Sequence, residues 1–168
     1  MAQRRIAVVF GSDSDWSVME KCVQQLREFG EQAHVEVMSA HRGPGRVAEF
    51  ARDAEAQGIE VVVAAAGMSN ALAGAIAAHT CLPVIGVPLV SGPLHGLDAL
   101  LSTVQMPPGI PVAAVSVGDA GARNAALLAV QILARKDPQL AEAYRKFKAA
   151  QADAVQTGNQ ALQQRIEK

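Results

Sequence analysis

Aromatic side chains are scarce in this chain. One tryptophan, one tyrosine and four phenylalanines make up 4% of its 168 residues, which leaves few platforms on which bases could stack. An excess of one charge is also missing: 15 Lys and Arg face 16 Asp and Glu, a net charge of -1, so no basic field is available to grip a phosphate polymer. General nucleic-acid binding is therefore excluded as an expectation. The two cysteines, Cys22 and Cys81, stand far apart in no CxxC or Cys/His cluster. Each reads as a small buried apolar residue. Apolar runs such as Val61 to Ala66 stop far short of the ~18 residues of a membrane span. Met1 to Arg5 leads straight into Ile6 to Phe10, which reads as the approach to a first strand and not as a secretion signal. A soluble, cytoplasmic protein with no nucleic-acid or membrane partner is expected.

What is present is a rich apolar composition, 50% hydrophobic against 18% charged, enough for one compact domain with a substantial core. The expected division is a core over about residues 5–136 and a helical extension over about 137–168. Short β-rich runs at Arg5–Phe10, Ala33–Met38, Glu60–Ala65, Pro83–Val87 and Val112–Val117 alternate with helical stretches. Most lack polar alternation, as strands buried on both faces do, so the sequence predicts an α/β fold with a five-stranded parallel sheet between helical layers. Helices are expected from Asp15 to Phe29, from near Pro44, from Ala71 to His79, from His95 to Val104 and from Ala122 to Ala134. The last is alanine- and leucine-rich almost all round, which predicts burial by more than its own sheet and suits a subunit interface. Beyond Lys136-Asp137-Pro138 the composition shifts to Ala, Gln, Lys and Glu, a C-terminal helical tail.

Ligands of open α/β sheets bind beyond the carboxyl ends of the strands, so the loops there carry the search. The first, Gly11-Ser12-Asp13-Ser14-Asp15, is suited either to an anion at a helix N-terminus or to plain helix capping. The second places the titratable His41 beside the guanidinium of Arg42, in a stretch held by Gly43, Pro44 and Gly45. An imidazole exchanges protons near neutral pH and an arginine clamps a phosphate or carboxylate with two prongs, a pairing that suits acid–base chemistry on an anion. His34 and His79 are read as structural, and His95 as a second choice that could line the same cleft. Neither GxGxxG nor GxxxxGK[ST] occurs, no GxSxG elbow marks a serine nucleophile, and no pair of residues has metal-ligand spacing. No metal or cofactor is expected.

Val9-Phe10-Gly11-Ser12-Asp13-Ser14-Asp15-Trp16, Ser39-Ala40-His41-Arg42-Gly43-Pro44 and Val104-Gln105-Met106-Pro107-Pro108-Gly109-Ile110-Pro111-Val112 together resemble the PurE family of purine biosynthesis. The likeness runs in order from about Ile6 to Asp137 and includes Ala122-Arg123-Asn124-Ala125-Ala126 and Gln131-Ile132-Leu133. It implies a flavodoxin-like domain assembled into homo-octamers. The implied chemistry places a carboxylate on C4 of 5-aminoimidazole ribonucleotide, either by a mutase that moves CO2 from the N5-carboxylated nucleotide or, in class II members, by direct use of CO2. Neither class needs a metal, ATP or biotin. By the same resemblance Ser12, Asp15 and Arg42 match residues that hold the ribose-phosphate, and His41 matches the general acid/base. Ser14, Ser39, Ser69 and Asn70 complete the substrate-binding candidates.

One segment departs from the family pattern. Bacterial mutases usually carry Gly-Gly-Ala-Ala-His-Leu-Pro-Gly after the third strand, whereas this chain reads Gly67-Met68-Ser69-Asn70-Ala71-Leu72-Ala73-Gly74. Ala71 stands where the family has a second histidine. Ser69-Asn70 leans toward class II, which has Gly-Arg-Ser-Asn there, while Arg42 and Gln105-Met106-Pro107 lean toward the mutases. The mutase is the favoured reading, with direct carboxylation as the alternative. A non-catalytic flavodoxin-like binding module and a nucleotide monophosphate hydrolase are the readings from other classes.

Overall fold

Strands β1 (Ile6–Phe10), β3 (Val61–Ala66) and β4 (Val84–Pro88) are apolar at almost every position because helices cover both of their faces. They form the centre of a five-stranded parallel sheet, with β2 (Ala33–Val37) and β5 (Ala113–Ala114) at its edges. The strand order is β2-β1-β3-β4-β5. This arrangement was obtained as a computed structural model, which describes residues 4–167. The three-layer, flavodoxin-like α/β architecture expected from the sequence is thus the one observed.

Helices α1 (Trp16–Glu28) and α5 (Asp119–Leu133) lie on one face. There Met19, Cys22 and Leu26 meet Ala122, Ala125, Ala126 and Val130 over Ile6, Val8 and Val63. Helices α2 (Pro44–Asp53) and α3 (Leu72–Ala77) cover the other face, where Val47, Phe50, Leu72 and Ile76 pack on Ala7, Val9 and Val62. Each large aliphatic chain taken fully out of water contributes about 1.5–3 kcal/mol, so these two layers dominate stability. Helix α4 (Leu97–Val104) follows β4, and α6 (Pro138–Ile166) closes the chain.

Several boundaries differ from the expectation for identifiable reasons. The fifth strand has only two residues, Ala113–Ala114, and not Val112–Val117. Past Val115, whose N–H still donates to Gly86 O, the chain leaves the sheet edge toward Gly118 and α5. Helix α4 begins at Leu97 and not His95, because His95 (φ 49°) and Gly96 (φ 86°) are both left-handed. Helix α5 begins earlier than Ala122, at Asp119, after Gly118 turns the chain with φ 71°. The extra cover of α5 comes from α1 and α6 of the same chain, so its small apolar residues do not require a neighbouring subunit. Cys22 is buried as expected, and burial pushes its thiol up to about 12. Cys81 is exposed, contrary to expectation, because it lies in the turn between α3 and β4 outside either core layer.

The tail helix is tied to the sheet at its first turn. Asp137 accepts from the Leu140 N–H as the N-cap and also pairs with Arg5 at the entrance to β1. Arg5 reaches Glu31 with a second bond, which joins the α1–β2 turn to the same point. The Leu140 N–H, followed by Arg5, holds the Asp137 carboxyl below its ordinary value.

Candidate active site

A parallel sheet sends all its βα turns to one edge, and β1 and β3 diverge there because the strand order reverses between them. The turns after β1, β2, β3 and β4 enclose a cavity of about 490 Å³. Ser12, Ser14 and Asp15 enter it from the first turn, Ser39, His41 and Arg42 from the second, and Met68, Ser69 and Ala71 from the third. Seven of the eight sequence-derived candidates therefore share one concave surface.

The first turn is shaped by its own polar groups. Ser12 caps a single 3-10 turn, Asp13–Asp15, while the Asp15 carboxylate accepts from the Ser12 N–H at 3.0 Å. This reciprocal box satisfies two helix-end donors, so the capping interpretation and the ligand-facing one describe the same residues. The Ser14 hydroxyl donates to Ser12 Oγ at 2.9 Å, so both hydroxyls are gathered on the cavity wall. Burial pushes the Asp15 carboxyl above its ordinary value, opposed by the Ser12 N–H; Asp13 adds to the rise and Arg42 counters it.

The second turn is latched to the first. The Arg42 guanidinium donates to Gly11 O at 3.0 Å and, through Nε, to Ser39 Oγ at 3.3 Å. Its other N–H groups have no protein acceptor among the described residues, so a bound anion can take them in the two-pronged manner of arginine. The Gly43 N–H closes the turn on Ser39 O at 2.9 Å, and Pro44 starts α2 in the position where its missing N–H costs nothing. His41 lies between Ala40 and Arg42 on the cavity surface, is exposed in the single chain, and has no hydrogen-bond partner among the described residues. Further back, Glu36 receives two bonds from Arg46, at 2.8 and 3.0 Å, which fastens α2 to β2 just behind this turn.

The third turn departs most from expectation. Asn70, read as a substrate-binding residue, is 1% exposed and does not line the cavity. Its amide is turned toward the body of the protein, where it donates to Val87 O and Thr103 Oγ1. Its neighbours Ser69 and Ala71 face the cavity on either side of it. Met68 is held at φ 53° and is 57% exposed, a backbone state that costs a non-glycine residue roughly 1–2 kcal/mol.

Sequence reasoning missed Ser91, which lines the cavity from the turn after β4. The only signal for it is its place at a strand's carboxyl end. Gly67 has to be glycine because of it: a Cβ there would stand 2.4 Å from Ser91 Cβ. His95, the second-choice histidine, is not on this cavity. It belongs to the left-handed step that starts α4. His34 stacks on Phe50 and bonds Glu36, and His79 bonds Ala75 O at the end of α3, both in structural positions.

Comparison with known proteins bears on this site. The solved structure of Treponema denticola PurE superimposes with a TM-score of 0.85 at 28% identity, covering 94% of this chain and 97% of that one. N5-carboxyaminoimidazole ribonucleotide mutase of Escherichia coli strain K12 is 48% identical over 151 residues, 90% of this chain and 89% of that protein. The proteins of the same name from Mycobacterium tuberculosis H37Rv and Pyrococcus abyssi are each 50% identical, over 95% and 86% of this chain and 90% and 82% of their own lengths. A family profile described as AIR carboxylase matches residues 5–154. On these grounds the chain belongs to the AIR carboxylase, or PurE, family.

Proposed function

We infer that this chain is a mutase of purine biosynthesis that converts N5-carboxyaminoimidazole ribonucleotide into its C4-carboxylated isomer. The observation that carries this reading is the convergence of His41 and Arg42 with Ser12, Ser14 and Asp15 on one cavity at the switch point of the sheet. Arg42 and the serine hydroxyls bind the ribose-phosphate, and Asp15 accepts from ribose hydroxyls. The N5–carboxylate bond then breaks, CO2 departs, and the nitrogen takes the bonding electron pair together with a proton from His41. Carbon C4 attacks the retained CO2, and the C4 proton returns to the imidazole, which leaves the base as it began. An imidazole can both donate and accept a proton, so one side chain can serve in both directions. The cavity lining contains no Phe, Tyr or Trp among the described residues, which disfavours a flavin-binding module.

Direct carboxylation of aminoimidazole ribonucleotide with CO2 is the second reading. It is favoured by one observation, Ala71 on the cavity wall where the usual bacterial mutase motif has histidine. The purified protein, supplied in turn with N5-carboxyaminoimidazole ribonucleotide and with aminoimidazole ribonucleotide plus bicarbonate, is expected to form C4-carboxylated product efficiently from the first alone. Product from the second mixture at an equal or higher rate assigns it to the CO2-using class, and product from neither rejects both. A homo-oligomer, carried over from the family as an octamer, is supported by the exposed apolar residues Leu97, Leu101 and Val104 along α4 and Leu94 in the turn before it. A cytoplasmic location accords with the nucleotide and CO2 as its small-molecule partners.

Arg42→Ala tests the anion clamp. Loss of charge-assisted hydrogen bonds worth ~1.5–3 kcal/mol each is expected to raise KM for the nucleotide by about tenfold or more, with a smaller effect on kcat. Steady-state kinetics with an unchanged KM contradict the clamp.

A further inference from the structure

We propose that Asn70 and Thr103 form a positioning pair that holds the third turn of the cavity in its working shape, with neither residue touching substrate. The third turn cannot hold itself. Its internal backbone bonds, Asn70 N–H to Met68 O at 2.9 Å and Ala71 N–H to Ser69 O at 2.8 Å, span only two residues each, a geometry that stabilises little. Met68 also sits in the left-handed region at φ 53°, a state that persists only when its surroundings impose it.

The imposition comes from behind the cavity. Asn70 Nδ2 donates to Val87 O at 3.3 Å and to Thr103 Oγ1 at 2.9 Å, and Thr103 Oγ1 donates onward to Ala99 O at 2.7 Å. Both residues are 1% exposed. The direction of this relay is settled by its ends. Val87 O and Ala99 O can only accept, so the Thr103 proton is committed to Ala99 and its oxygen must accept from the amide. Only the NH2 side of Asn70 satisfies both contacts, which leaves Oδ1 buried without a partner. An aspartate cannot replace both contacts, because an ionised carboxylate has no donor and a protonated one has a single O–H for two acceptors.

Thr103 is itself locked. A Cβ on Gly86 of β4 would stand 2.4 Å from the Thr103 methyl, so that methyl fills the space glycine leaves on the strand. With the methyl on β4, the hydroxyl is directed along α4 and toward Asn70. The pair thereby joins the β3 turn, the end of β4 and α4 at one point, and Ser69 and Ala71 reach the cavity wall from either side of it. This inference rests on the mutase reading. The wall it fixes faces the site where CO2 waits between N5 cleavage and C4 attack, so a loosened wall lets CO2 leave before the new bond forms.

The test uses Thr103→Val, which keeps the methyl and removes the hydroxyl, Thr103→Ser, which does the reverse, and Asn70→Asp. Two readouts are taken: consumption of N5-carboxyaminoimidazole ribonucleotide against C4-carboxylated product, and hydrogen exchange at the amides of residues 67–71. Thr103→Val and Asn70→Asp are expected to keep KM within about twofold and to lower product kcat by about tenfold to a hundredfold, the scale of small misplacements at a reacting centre. A rising share of consumed nucleotide should appear as aminoimidazole ribonucleotide, with exchange faster at Asn70 and Ala71. Thr103→Ser should restore both readouts. Wild-type exchange and product ratio in Thr103→Val overturn the pair even if Asn70→Asp fails to fold. If the wild-type protein converts no nucleotide, the mutase reading falls, and the exchange data alone still decide whether the anchor exists.

Discussion

His41→Asn is expected to lower kcat by about a thousandfold, inside the ~10²–10⁴ range that a positioned acid/base supplies, while the melting temperature and the oligomer stay as in wild type. The fold gives a reason to expect this separation. His41 is exposed, makes no hydrogen bond among the described residues and sits outside both core layers, so asparagine removes the titrating group without unsettling packing. Steady-state assays beside a thermal melt provide the check. Near-wild-type turnover in a folded variant rejects the assignment of the proton carrier. A parallel loss of kcat and folding shows instead that the ring braces the β2 turn. A large fall in kcat with little change in KM is the signature of an interaction made chiefly at the transition state.

The second large effect concerns stability. Gly121→Ala is expected to cost about 3 kcal/mol or more, the upper part of the range for steric insertion into a packed interior. A Cβ at this position would lie 1.7 Å from Ser116 O and 2.8 Å from Ser116 C. Both are backbone atoms of the segment between β5 and α5, which cannot swing aside as a flexible side chain would. Relief requires α5 to shift, and α5 carries Ala122, Ala125, Ala126, Ala129 and Val130 into the core with α1 and the sheet. Urea unfolding should show a clearly lower midpoint with an unchanged slope. A variant as stable as wild type would mean that α5 slides without loss, against the close packing of its small residues.

The residues differ in how far their roles could be read in advance. The parallel sheet was legible because β1, β3 and β4 lie between two helical layers, and a strand covered on both faces must be apolar throughout. The shared position of His41, Arg42, Ser12 and Asp15 was legible because they follow strands directly, and in a parallel sheet every such turn reaches the same edge. Asn70 was misplaced because one-dimensional order cannot say which way a side chain leaves a turn. Ser69 and Asn70 are neighbours, yet one faces the cavity and the other faces α4. That His95 does not line the cavity was not legible for a related reason, since nothing in its neighbours announces that it takes a left-handed backbone. The two-residue fifth strand lacked a signal too, because edge pairing depends on how long the neighbouring strand stays alongside.

The amino-acid order alone determined the alternation of strands and helices, the layer that each apolar run joins, and the edge of the sheet where chemistry can sit. These follow from local periodicity and from the requirement that apolar surface leave water. Tertiary structure decided which turn residues converge, how Arg42 bridges to Gly11, why Gly67 and Gly86 must be bare, and that Asn70 holds the third turn through Thr103. Those outcomes depend on distances between segments remote along the chain, and such distances exist only once both core layers have packed.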